Sequence, residues 1–99
     1  MSKYINLRWS NYRIQHIARH NVVKEEVKEA IYDDPYRFLK RYKRSSQFPG
    51  SYFYFAFGST SEGRLLTIIL LNTEKNDYIP LTARDMSEPE KKVYLQRRR

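Results

Sequence analysis

The chain contains no cysteine. That excludes disulfide staples and thiolate metal sites, and it fits a reducing compartment. Glycine occurs three times and proline four, and neither an internal repeat nor a low-complexity segment is present. Long apolar runs are also missing. The longest, residues 65–71, is interrupted by Thr67, whereas about 20 apolar residues are needed to span a bilayer. It reads as a buried strand. The opening residues Met-Ser-Lys-Tyr-Ile-Asn-Leu-Arg carry no apolar stretch of the signal-peptide kind. The expectation is a cytoplasmic protein with no membrane contact.

Negative charge is in short supply. Nineteen Lys and Arg face eleven Asp and Glu, leaving +8 and a pI near 9.8. Such an excess attracts polyanions at long range and by counterion release; it suits RNA, and it also suits an acidic protein segment. The 99 residues make a single domain, residues 1–99, with 40% apolar content that includes nine Tyr, five Phe and one Trp. A chain of this length buries roughly 60–70% of the surface it exposes when unfolded, enough to fold alone with little margin.

The pattern along the chain predicts an α+β domain: two N-terminal helices, an antiparallel sheet of three or four strands, and a C-terminal helix. Residues 4–9 alternate apolar and polar and suit a short edge strand. Ser10 or Asn11 can cap a helix over residues 12–20, with Ile14, Ile17 and Ala18 on one face, and Asn21 fits the left-handed position that ends it. A second helix spans residues 23–32 with Val23, Val27, Ala30 and Ile31 buried, and Asp33-Asp34-Pro35 stops it. Residues 36–43 suit either a strand or the tail of a helix. The aromatic stretch 51–58 has strong β propensity, residues 58–63 turn the chain, and 64–72 form the central strand. Pro80 cannot donate to a ladder, so the strand over residues 78–83 is at an edge or carries a bulge. Ser87-Glu88-Pro89-Glu90 is a capping box with proline in the first turn, a strong helix start.

In this order the pieces resemble the BrnT family of type II toxins, whose fold is that of the RelE-like ribonucleases. The resemblance covers residues 7–97. It is carried by Trp9, by His-Ile-Ala-Arg-His-Asn-Val over 16–22, by Glu25-Glu26-Val27, by Gly58 with Gly63-Arg64, and by Thr82-Ala83-Arg84 with the Glu-Lys-Lys-x-Tyr helix after it. It implies the toxin of a toxin–antitoxin pair, acting as a metal-independent endoribonuclease on mRNA without cofactor. Its partner would be a cognate antitoxin, of the ribbon-helix-helix type, in a hetero-oligomer. In such cleavage the 2′-hydroxyl attacks the adjacent phosphorus and leaves a cyclic phosphate. By the resemblance Arg64 and Arg84 stabilise the charge that builds on the phosphoryl oxygens, and His16, His20, Glu62 or Tyr94 move protons. The alternative is a non-catalytic basic module of the same fold that meets RNA or a protein.

Read as residues alone, these candidates have two sides. A guanidinium can hold two phosphoryl oxygens through its fork, but Arg64 and Arg84 can equally pair with Asp85 or Glu90 to fix the last helix. His16 and His20 share the i, i+4 spacing of zinc-binding helices, yet no glutamate lies between them and Arg19 does, which argues against a metal. His20 also suits a helix end, where an imidazole meets the last carbonyls. For RNA contact the candidates are Arg13 and the basic cluster Arg37, Lys40, Arg41, Lys43 and Arg44, with a second cluster over 97–99. Alternation along 52–57 predicts that Phe53, Phe55 and Phe57 face the core and that Tyr52 and Tyr54 are free to stack on bases. Trp9 reads as a packing anchor.

Overall fold

The computed structural model describes residues 4–47 and 49–98. Among them the order is β1 (Asn6–Leu7), α1 (Asn11–Ala18), α2 (Lys24–Lys28), a π-helical turn (Glu29–Asp33), β2 (Phe38–Arg44), β3 (Tyr52–Ser59), β4 (Leu65–Glu74), β5 (Asp77–Asp85) and α3 (Glu88–Arg97). The strands form one sheet in the order β1-β5-β4-β3-β2. The α+β class holds; the sheet differs from expectation. It has five strands rather than three or four, and it is mixed, because Asn6–Leu7 runs parallel to Asp77–Tyr78. A hydrogen bond donated by Asn6 Nδ2 to Asp77 Oδ1 at 2.8 Å fixes that register. The ambiguous stretch after Pro35 is strand, pairing Phe38 with Phe57 and Arg44 with Tyr52.

Local signals account for most boundaries. Ser10 Oγ accepts from the Arg13 N–H at 3.2 Å and opens α1. Asn21 takes φ of 59° and turns the chain out of it. Val23 offers no side-chain acceptor to α2, but the Glu26 carboxylate accepts from the Val23 N–H at 3.0 Å. Ser87 and Glu90 close a reciprocal capping box at the start of α3, with Pro89 in its first turn. Pro80 lies at a bulge: Ile69 faces Thr82 while Leu70 faces Pro80, so Leu81 is the extra residue. The second helix is narrower than its pattern suggests. Val23 is exposed, and from Glu29 the winding widens to the π form.

The main core lies between the helices and one side of the sheet. Ile17, Val22, Val27, Ala30 and Ile31 pack there on Ala56, Leu66, Ile68, Leu70, Tyr78 and Ala83, with Trp9 and Tyr54 at its border. This overturns the expected orientation of β3. Tyr54 and Ala56 face the helices, and the Tyr54 ring meets Tyr78 edge-on at 5.6 Å. The phenylalanines point the other way. On that side Phe57, Met86 and Tyr94 form a small cluster under α3, while Phe53 and Phe55 stay partly exposed. Gly58, expected where the aromatic strand passes into the turn, lies within β3. A Cβ there would come within 2.4 Å of the Ala30 carbonyl oxygen, so the π turn packs directly on bare backbone.

Candidate nucleic-acid interface

Arg64 opens β4 and reaches back across the helices. Its Nε donates to Asp85 at 2.8 Å, and its Nη1 donates to Glu26 at 3.0 Å and to the Asn21 carbonyl at 2.7 Å. The Asp85 carboxylate beside it raises the arginine above its usual value, and Arg64 in turn holds Asp85 below the usual carboxylate range. Arg84 is equally engaged. Its two Nη atoms grip both oxygens of Glu90 at 2.7 and 2.9 Å. The same carboxylate accepts from the Thr67 hydroxyl and the Ser87 N–H, each at 2.8 Å. The Arg64 fork therefore ties together segments distant in sequence, while Arg84 holds Glu90, six residues on, and through the Thr67 bond fixes the first turn of α3 onto β4 and β5.

Glu90 shows what the clamp does electrostatically. The Arg84 bond, opposed by burial and helped by Ser87 and Thr67, lowers its pKa to about 2 from 4.5. A carboxyl depressed on folding contributes stability that is complete above 4.5 and lost as pH falls toward 2. The pair is partly open, Arg84 being 43% exposed, so solvent screening limits the contribution to about 1–2 kcal/mol. Wild type should exceed Glu90→Gln in urea-measured stability by that amount near neutrality, and the gap should close between pH 4.5 and 2. A gap that persists unchanged at pH 2 would contradict this account.

Tyr94 is fully buried and donates its hydroxyl to Asp34. Burial, reinforced by the Asp34 carboxylate, pushes the phenol well above its ordinary range. It is held as a donor. Asp34 also accepts the Ser59 N–H at 2.8 Å and the Tyr36 N–H at 2.9 Å, which joins the π turn, β3 and α3. Sequence showed Asp34 only as a helix stop. Glu62 is exposed in the β3–β4 turn. Arg37 Nε donates to the Ile31 carbonyl at 2.5 Å, and burial lowers its pKa. Tyr52 and Tyr54, proposed as stacking platforms, lie on the helix side of the sheet; Tyr52 is already covered by Arg41 at 4.7 Å and Arg44 at 5.9 Å.

The remaining candidates border the other side. With α3 covering only one end of it, Phe53, Phe55, Ile69, Leu71 and Leu81 are left as the floor of open hollows. Lys40 and Lys43 rise from β2 along one margin, and Arg13 and His16 from α1 along the opposite one. Tyr42, the extra residue of a bulge in β2, lays its ring 4.9 Å from Phe55. Tyr12 and His16 on α1 and His20 in the turn after it form a ladder, with successive ring centroids 6.0 and 6.2 Å apart. His16 Nδ1 is buried without a hydrogen-bond partner among the described residues. His20 is exposed beyond the end of α1, where its N–H reaches the Ile17 carbonyl. Among the described residues no carboxylate lines the two hollows over Phe53, whereas Glu90 borders the hollow that Lys40 and Phe55 share.

At the C-terminus, Arg97 lies 4.2 Å over the Phe38 ring and Arg98 stacks near Tyr36 and Tyr94. Arg99, the last of that expected cluster, is outside the described residues. Among the described residues no group of three or more His, Asp or Glu is placed to hold a metal, and no helix is long and apolar enough to cross a membrane. Alternation in β3 announced two aromatic faces; nothing local indicated which the helices would cover. No model of a known protein family matches this chain, and no curated protein matches it.

Proposed function

We propose that this protein binds single-stranded RNA across the open side of its sheet. The observation that carries the reading is an aromatic floor, Phe53 and Phe55, with Lys43 on one margin and Arg13 on the other and, among the described residues, no carboxylate lining the two hollows over Phe53. Bases of any sequence can stack on such a floor, while the margins neutralise phosphates. A duplex keeps its bases stacked on each other and so offers the floor nothing.

Cleavage is a second reading, favoured by His16. Its imidazole borders the hollow, with Arg13 beside it on the same helix. Acting as base, the imidazole takes the 2′-hydroxyl proton as the oxygen attacks phosphorus; the bond from phosphorus to the 5′-oxygen breaks, that oxygen takes a proton from solvent, and a 2′,3′-cyclic phosphate remains. General base catalysis of this kind is typically worth about 10²–10⁴ in rate. In this scheme Arg64 and Arg84 hold the scaffold, since their forks are filled by carboxylates. The toxin reading, with an antitoxin encoded nearby, rests on the resemblance in the ordered motifs.

One experiment addresses both. Labelled single-stranded RNA incubated with the protein in EDTA should shift in a gel, and duplex RNA should shift far less. Cyclic-phosphate ends that appear in wild type and vanish in a folded His16→Gln variant would establish cleavage through that residue. RNA that stays intact while shifting leaves a binding protein. Equal affinity for duplex and single strand would sink the reading itself.

A further inference from the structure

The outer edge of β2 is a cationic strand with no further strand beside it among the described residues. It ends the sheet, and from Lys40 to Arg44 every residue is exposed. Residues 37–47 contain no Asp or Glu, and none of Lys40, Arg41, Lys43 or Arg44 is in an ion pair among the described residues. These four charges are distributed on both sides of the sheet. Lys40 pairs across to Phe55 and Lys43 to Phe53, on the open side. Arg41 and Arg44 stack on Tyr52 on the helix side. The bulge at Tyr42 maintains this arrangement, since with Tyr42 paired in regular alternation Lys43 and Arg44 would exchange sides.

We propose that this edge accepts an extended acidic peptide segment as a sixth strand of the sheet. A strand added beside β2 lies about 4.8 Å away and turns successive side chains to opposite sides. Only such a strand meets both pairs of cations at once. The matching sequence carries acidic residues at neighbouring positions, one for each side, rather than acids alternating with apolar residues. Main-chain bonds would supply affinity, and the charges would set partner and register. A second copy of this chain is a poor occupant: edge lysines and arginines oppose self-pairing, and here they would confront their own kind. RNA on the open side would engage Lys40 and Lys43 and leave Arg41 unmatched. The proposal goes beyond the RNA reading and does not depend on it.

The test uses a fluorescent acetylated peptide of repeating Val-Glu-Glu units, and the same peptide N-methylated at alternate residues. Backbone methylation leaves the charge intact and removes the donors that a ladder needs. The full chain should bind the unmethylated peptide at least tenfold more tightly, by about the loss of two or three net hydrogen bonds. Amide exchange along β2 should slow only with that peptide. Arg41→Glu with Arg44→Glu, both at exposed positions, should weaken binding by a further order of magnitude. Equal binding of the two peptides, or β2 exchange that the peptide leaves unchanged, would overturn the proposal. So would a polyuridine oligomer that protects β2 when the peptide does not; that outcome would assign the edge to RNA.

Discussion

Replacing Gly58 by alanine should destabilise the protein by about 2–4 kcal/mol, a large part of the roughly 5–15 kcal/mol that holds a domain of this size. The cause is a backbone approach rather than an unusual dihedral. At Gly58 a Cβ would sit 2.4 Å from the Ala30 oxygen, 3.0 Å from its carbonyl carbon and 3.1 Å from its Cβ. None of these atoms ends a flexible side chain, so the π turn itself must retreat. That retreat would pull on Asp34, whose carboxylate binds the adjacent Ser59 N–H and the Tyr94 hydroxyl. Gly63 provides the contrast. Its φ is +90° but nothing lies within 4 Å, so Gly63→Ala meets only the left-handed penalty of about 1–2 kcal/mol. Urea denaturation should show a lower midpoint for both, with Gly58→Ala falling further and m unchanged. A Gly58→Ala protein as stable as wild type would mean that the π turn moves freely.

RNA affinity should fall roughly twentyfold as salt rises from about 50 to about 200 mM. The estimate takes about three neutralised phosphates, at Arg13, Lys40 and Lys43, each lowering the log–log slope by about 0.7 for a single strand. The floor behaves differently. Phe55→Ala should weaken binding at every salt concentration by about 1–3 kcal/mol, with the slope preserved, because stacking releases no counterions. Lys40→Gln should make the slope shallower by about 0.7. A flat response would show that the +8 charge serves something other than phosphate contact. A Phe55→Ala variant that binds as well as wild type would remove the aromatic floor from the interface.

The segments with strong local chemistry were legible. Ser10, Asn21, Pro80 and the Ser87–Glu90 box each act within a few residues of themselves, so sequence alone placed the ends of α1 to within two residues, marked β5 as an edge or bulged strand, and located the start of α3. Residues 36–43 were ambiguous because their charges are exposed on both sides, which erases the alternation that marks a half-buried strand. The helix contacts of Gly58 were invisible for a related reason: its need for a missing side chain arises from Ala30, distant in sequence. The two arginines illustrate the same limit. Arg64 and Arg84 were recognisable as special, and their possible partners Asp85 and Glu90 could be named, but only the fold chose between a phosphate and a carboxylate.

By itself the sequence determined the α+β class, the excess of positive charge, the absence of thiol chemistry and the aromatic density of β3. These follow from composition and from interactions spanning one or two turns of chain. The tertiary structure decided which side of β3 the helices cover, and with it which aromatics are core and which are floor. It also decided that Tyr94 is a buried donor to Asp34, that Arg84 is held by Glu90, and that His16 and Lys40 border the same open side. Strand alternation is symmetric about the sheet plane. Sidedness comes only from what packs on each side, and here α1, α2 and the π turn pack where Tyr54 and Ala56 point.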